Sequence, residues 1–449
     1  MKKLSLLMVI MLATGFVIAQ NSADAIQIGN DQTSEILQTG YHQVALTAQQ
    51  GITNEILVEQ ISGSSQYAWV FQSGEIADDA APEDNHATVD QKYSGTGNLS
   101  FLYQYGSHNK SWQTQNGSNN KFNIAGNFPG DPDNIQTLPN NALPNQDGDY
   151  HENTQTANGN SNQAWIYQAG RIHVSSQVLN GNLNEVWTSQ SGNTNRATMA
   201  IQGVGNGSIY MAHEEGKFPE PEGETDEGSP DTGGNGNQGG SHGQGDGGMP
   251  EVIPPPHDET HVFVSTVGVS IKQMGKNSTA EMDIEGNYNK ATITQRGGAG
   301  GGDTEQAGHY ANQDITGDYN RVFANQTGTG NNIDQDVNGA NNLVTFMQKG
   351  NGGISVIDLD GVSNEIGVDQ KGKSNYSRID VEGNLNGNLV AGDEYGIKLA
   401  QEGKENHSEI DITGNYNMIN AHQSGGGISY ITQAGDYNST TVNQFEVEN

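Results

Sequence analysis

The 449-residue chain has no cysteine, 12 prolines, and 19 lysines and arginines against 53 acids. The lack of cysteine excludes disulfides, thiol catalysis and thiolate metal sites. A formal net charge of −34 excludes binding to nucleic acid by phosphate neutralisation. Cations, basic surfaces and neutral glycans remain as partners. Apolar residues make up 32% of the chain and charged residues 16%, which is poor in apolar residues for a globular domain. After the N-terminal segment that ends at Gln20, no apolar run is long enough to span a membrane. On composition alone, a chain so rich in Gly, Asn, Gln, Ser and Thr reads as disordered. Its periodicity argues otherwise.

What is present begins with MKKLSLLMVIMLATGFVIAQ: two lysines, an apolar run, and small residues around Ala19. Residues 1–19 read as a secretory signal. Removing them takes away two lysines and no acid, so the net charge moves from −34 to −36. The expectation is a secreted, extracellular protein with no membrane span in its mature chain.

Residues 336–350, DVNGANNLVTFMQKG, return from Asp358 onward as DLDGVSNEIGVDQKG. After Gly361, the residues Asn364, Ile366, Val368 and Gln370 stand at alternate positions. The same frame gives Asn289, Ala291, Ile293 and Gln295; Asn342, Val344, Phe346 and Gln348; and Asn54, Ile56, Val58 and Gln60. Alternation of this kind marks strands whose named residues share one face. Gln27, Gln38, Gln49 and Gln60 are evenly spaced, and each interval holds one strand and its bend. Two intervals make a two-strand coil, and they equal the distance from Asp336 to Asp358. One coil cannot bury its inner face, but a stack can, which predicts an all-β, two-sheet β-solenoid of roughly 14–15 coils.

The frame turns Gln168, Gln190, Gln326, Gln401, Gln423 and Gln433 inward as well. A buried amide is costly unless paired. Stacked amides solve this, each donating to one neighbour and accepting from the other.

The order Gln-x-Gly-x-x-Asn-x-Ala-x-Ile-x-Gln, clearest in QTGYHQVALTAQQG and EGNYNKATITQRG, resembles the curlin repeat of curli amyloid subunits. The resemblance covers most of the mature chain outside its insertions. It implies a secreted, non-enzymatic subunit that polymerises with itself into fibres of an extracellular matrix, in biofilm and adhesion. It also implies curli-type secretion and nucleation components as partners.

Two features depart from that pattern. In the C-terminal half, one sheet replaces Gln by Ile284, Ile315, Val337, Leu359, Val381 and Ile412, each preceded by an aspartate. Parity turns these aspartates outward, Asp336, Asp358 and Asp380 among them, into a column of carboxylates about 4.8 Å apart. Three outcomes are open. Salt screens the column and it deters lateral sticking. It binds a cation such as Ca²⁺, the one cofactor considered. Or it raises its own pKa values. In the N-terminal half, Trp69, Phe101, Trp112, Trp165 and Trp187 each stand three residues before a ladder glutamine, an odd offset that places them outside. Such a stripe either stabilises the sheet by cross-strand stacking or offers a contact surface for matrix glycans or another filament.

The domain reading is a signal at 1–19, curlin-like repeats at 26–212 with insertions near 75–90 and 127–150, an acidic Gly/Pro-rich disordered linker or loop at 213–260, and repeats again at 261–449. No metal-binding histidine pair, nucleophile elbow or phosphate loop is found, and the chain is read as no enzyme. The second functional reading is a non-polymerising surface adhesin that binds glycans through the aromatic stripe.

Overall fold

A computed structural model describes residues 21–73, 84–92, 95–123, 146–207, 268–297, 308–386 and 396–445. The signal at 1–19 and the segment 213–260 lie outside these residues. The chain divides into two units, Met1–Tyr210 with Ser265–Asn449, and Met211–Val264. All described residues belong to the first unit.

The alternating pattern becomes strand. In Leu343–Asn351, Val344, Phe346 and Gln348 are buried, and Leu343, Thr345 and Met347 face outward. Successive strands go alternately to two sheets, of 16 and 14 strands, except that Lys121–Phe122 and Gln146–Asp149 both join the larger one. Each strand pairs in parallel with its neighbours in the same sheet, one coil away, repeat position on repeat position. Arg321 faces Leu343, for example, and Leu343 faces Glu365. The protein is therefore a two-sheet β-solenoid, in which each coil adds one strand to each sheet and the side chains between the sheets form the core.

Bends follow the pattern Gly-x-x-Asn. The residue before the Asn takes the left-handed conformation, as at Leu183, Tyr288 and Ser363. This places the Asn side chain inside the corner, at the mouth of the next strand.

The stack runs through the chain's excursions. Trp187 pairs with Ser270 and Arg196 with Thr279, across residues 208–267. Several boundaries read from sequence shift. Strands already form at Ser22–Asn30, at His86–Lys92 and at Gln146–Asp149, so the repeats start before residue 26 and both early insertions end sooner than expected. Pro82 and Asp84 crowd the second of these margins and Pro144, Asp147 and Gly148 the third, which hides where the period resumes. The first described strand after the long excursion is Val269–Lys276.

The apolar core forms two clusters. One gathers Ala45, Ile56, Val58 and Leu102, and the other runs from Phe122 to Ile431. Where they part, buried Gln113, Asn123 and Gln155 bond one another instead.

Candidate functional site

The inner edge of the larger sheet carries one glutamine per coil. Gln27, Gln49, Gln72, Gln104, Gln146, Gln168 and Gln190 continue into Gln273, Gln295, Gln326, Gln348, Gln370, Gln401, Gln423 and Gln444. Each Nε2 donates to the Oε1 of the next, at 2.7–3.2 Å, without a break. All donors point the same way, toward the C-terminal coils. The second N–H ties the sheets together, since Gln295 donates it to the Thr279 carbonyl and Gln370 to that of Ile354. From Gln49 to Gln423 both amide protons are used in this way, which is why so polar a column can be dry.

Gln38 and Gln60 belong to the smaller sheet, in a separate ladder that continues through Gln91 to Gln115. Its next coil has Ala157 in that position, and aliphatic residues follow. Gln433 is no ladder residue. It lies beside Ile412, and its Nε2 donates to Thr440 Oγ1 and the Met418 carbonyl. Its coil matches an aliphatic column, so no amide is there to meet it.

The asparagines form columns of another kind. Asn320 Oδ1 accepts the backbone N–H of Asn342, whose own Oδ1 accepts that of Asn364. Their Nδ2 groups donate to glycine carbonyls, Asn342 to Gly361 and Asn364 to Gly383. Asn289 fits the same column, and Asn54 serves the opposite corner. The asparagines thus stack on backbone rather than on each other's amides alone, because the short side chain reaches the bend of the adjacent coil, where backbone N–H and carbonyl groups stand.

Sequence reasoning missed the histidines of the Asn54 corner. His151 and His173 stack with centroids 5.0 Å apart and planes 2° from parallel. His151 Nδ1 accepts the backbone N–H of His173, and His173 Nδ1 accepts that of Asn195. Their Nε2 atoms meet the carbonyls of Asp147 and Ala169 at 3.1 and 2.8 Å. A neutral imidazole thereby copies an asparagine amide, one acceptor and one donor. The imidazolium has no acceptor. The signal was legible as Gly-x-x-His in place of Gly-x-x-Asn at Gly148–His151 and Gly170–His173.

Burial, then the neighbouring His173, pushes His151 down to about 4, against a smaller opposing pull from the Asp147 carbonyl and the Asp149 carboxylate. Burial pushes His173 and His309 down too. The unfolded chain takes up these protons near pH 6.5 and the folded one does not. Stability is therefore complete above 6.5 and is lost as pH falls toward 4, by about 3 kcal/mol for His151. The double variant His151→Asn, His173→Asn is expected to match the wild type at pH 7 and to keep its melting temperature at about pH 4.5, inside that window. An unchanged acid decline in that variant would remove this account.

On the outer face of the smaller sheet, Asp283, Asp314, Asp336, Asp358, Asp380 and Asp411 stand in register on consecutive strands. Burial first, and then the neighbouring acids, push Asp283, Asp336 and Asp380 up. Their sign is opposite to that of the histidines, since stability is gained as pH falls through the raised values. Among the described residues, no group of three or more His, Asp or Glu side chains is arranged to hold a metal.

The aromatic stripe is divided. Trp69, Phe101, Trp165 and Trp187 lie on the outer face of the larger sheet, with Trp69 on Phe101 and Trp165 on Trp187. Trp112 lies on the other sheet, between Thr88 and Thr154 and beside the His86 ring. Nor are all of them exposed. Trp69 and Phe101 are 7% and 5% accessible and pack with Leu46, Tyr67, Phe71, Leu99 and Tyr103. Trp165 and Trp187 are half-buried.

No model of a known protein family matches this chain, and a search of curated proteins finds no relative.

Proposed function

We propose that the protein is a secreted structural subunit that self-assembles end to end into curli-like amyloid fibres of an extracellular matrix. The observation that carries this reading is the unbroken, one-directional glutamine ladder. Templated addition requires a molecule whose every layer repeats the hydrogen-bond pattern of the layer below, and this ladder does so from Gln27 to Gln444. Among the described strands, Ser22–Asn30 and Ser439–Gln444 each pair on one side only, and an open strand edge is a template for another chain. Export and nucleation partners follow from the resemblance and belong to the proposal.

The test is incubation of the purified mature chain at neutral pH with Thioflavin T, followed by fibre diffraction. Seedable growth and a meridional reflection at about 4.7–4.8 Å are expected. A persistent β-rich monomer would favour instead the adhesin that holds glycans through Trp165 and Trp187. Calcium on Asp336, Asp358 and Asp380 is proposed from carboxylate spacing alone, and a melting curve unmoved by Ca²⁺ would discard it.

A further inference from the structure

In the C-terminal coils the two outer faces of the solenoid carry opposite charge. The smaller sheet presents the aspartate column, with further acids beside it such as Glu281, Asp334 and Asp360. Within its strands from Thr279 to Ala434, Arg378 is the only lysine or arginine. The larger sheet presents Lys272, Lys290, Arg296, Arg321, Lys349 and Lys371 on its outward positions. Its acids there are fewer: Glu365, Asp369 and Glu402, and Asp369 is bound to Lys371 at 3.0 Å.

The two faces also match in pitch. The strands beginning at Lys290, Arg321, Leu343 and Glu365 each bring at least one base, and those beginning at Thr279, Tyr310, Asn332 and Ile354 each bring at least one outward aspartate. The aspartates repeat once per coil in one column, at the strand spacing of about 4.8 Å, and the bases fall in two columns at the strand ends, Lys290 on Arg321 in one and Lys349 on Lys371 in the other. Aspartates stacked at that distance repel one another, and among the described strand residues of their own face from Thr279 to Ala434, Arg378 is the one lysine or arginine that offsets this. A row of cations with the same repeat would offset it layer by layer. The larger sheet of a second copy supplies at least one cation in each layer from Lys290 to Lys371, from one column or the other.

We infer that this protein associates side by side, the acidic face of one copy against the basic face of the next. The two faces lie on opposite sheets of one stack, so each contact leaves one acidic and one basic face open. The association is heterologous and does not close on itself, which yields lateral arrays rather than dimers. It does not depend on end-to-end growth, and folded monomers undergo it too. Because the contact is electrostatic, it weakens with salt. It also weakens in acid as the aspartates take up protons.

Charge reversal on the mature full-length chain tests this. One variant carries Lys290→Glu, Arg296→Glu and Lys371→Glu, so that both faces are acidic. The other carries Asp314→Lys, Asp336→Lys and Asp358→Lys, so that both are basic. Circular dichroism confirms that each folds. At low ionic strength, sedimentation velocity and electron microscopy are expected to show lateral arrays for the wild type, none for either variant alone, and arrays again when the two are mixed. Molar salt disperses all of them. Wild-type arrays absent at low salt, variants that array alone, or a mixture that stays apart would each overturn the inference. Fibres that grow lengthwise but remain single would overturn it and leave the end-to-end reading intact. Lateral arrays of monomers that never elongate would do the reverse.

Discussion

Gly372→Ala is expected to destabilise the solenoid by about 3 kcal/mol or more, the sum of left-handed strain and a backbone collision. Gly372 holds φ at +119°, and a Cβ built there would lie 1.7 Å from the Gly403 carbonyl oxygen in the next coil. The obstacle is backbone, so no side chain can move aside. Parallel strands would have to part at that bend and lose the ladder bonds beside it. Gly367, earlier in the same strand, makes the control. A Cβ there meets nothing within 4 Å, and Gly367→Ala is expected to be neutral or stabilising by up to about 1 kcal/mol. Urea unfolding of both variants decides the matter. Similar midpoints would mean that the bends tolerate separation and that the glycine columns are not what sets coil spacing.

The second large effect lies in the ladder. Gln348 accepts from Gln326 at 3.2 Å and donates to Gln370 at 2.9 Å and to the Asn332 carbonyl. Gln348→Leu strands a donor above, an acceptor below and a carbonyl opposite, at about 1–3 kcal/mol for each buried orphan. A loss of about 3 kcal/mol or more is expected. The triple change Gln326→Leu, Gln348→Leu, Gln370→Leu should cost about half to two thirds of three times the single one. Its interior layers leave each other no orphaned amide, only the two ends of the block do, and the carbonyls of Tyr310, Asn332 and Ile354 each lose one donor. The smaller sheet already holds such a column in Val337, Leu359 and Val381, fully buried. Additive costs in equilibrium unfolding would mean that each amide stabilises independently, and the cooperative view of the ladder would have to go.

These two columns show where the sequence was legible. Glycine and glutamine recur at fixed positions because each bend and each dry amide imposes its requirement locally, coil by coil. Side-chain parity within a strand is equally local, and it turned Val344 and Phe346 inward and the aspartates outward as expected. Trp112 marks where local reading gave out. It stands one strand interval after Phe101, which is half a coil, and half a coil changes sheet. Reading it by its offset from a glutamine kept the face and lost the sheet.

Gln146 was hidden for a related reason. It follows a proline-rich excursion, and only its pairing with Gln104 and Gln168 returns it to the ladder. His151 and His173 look like ordinary polar residues until the stack puts a backbone N–H against each Nδ1. The burial of Trp69 and Phe101 is likewise a matter of what lies beside them in three dimensions.

The sequence by itself determined the strand period, the coil length, the inward face and the dry glutamine column, because all of these repeat within a single coil and answer to short-range sterics and hydrogen bonding. The tertiary structure alone decided which strands are neighbours across the excursions, which sheet each outward side chain occupies, and hence that acid and base are sorted onto opposite faces. Those depend on how the coils are counted along the stack, and strand pairing rather than distance along the chain does the counting.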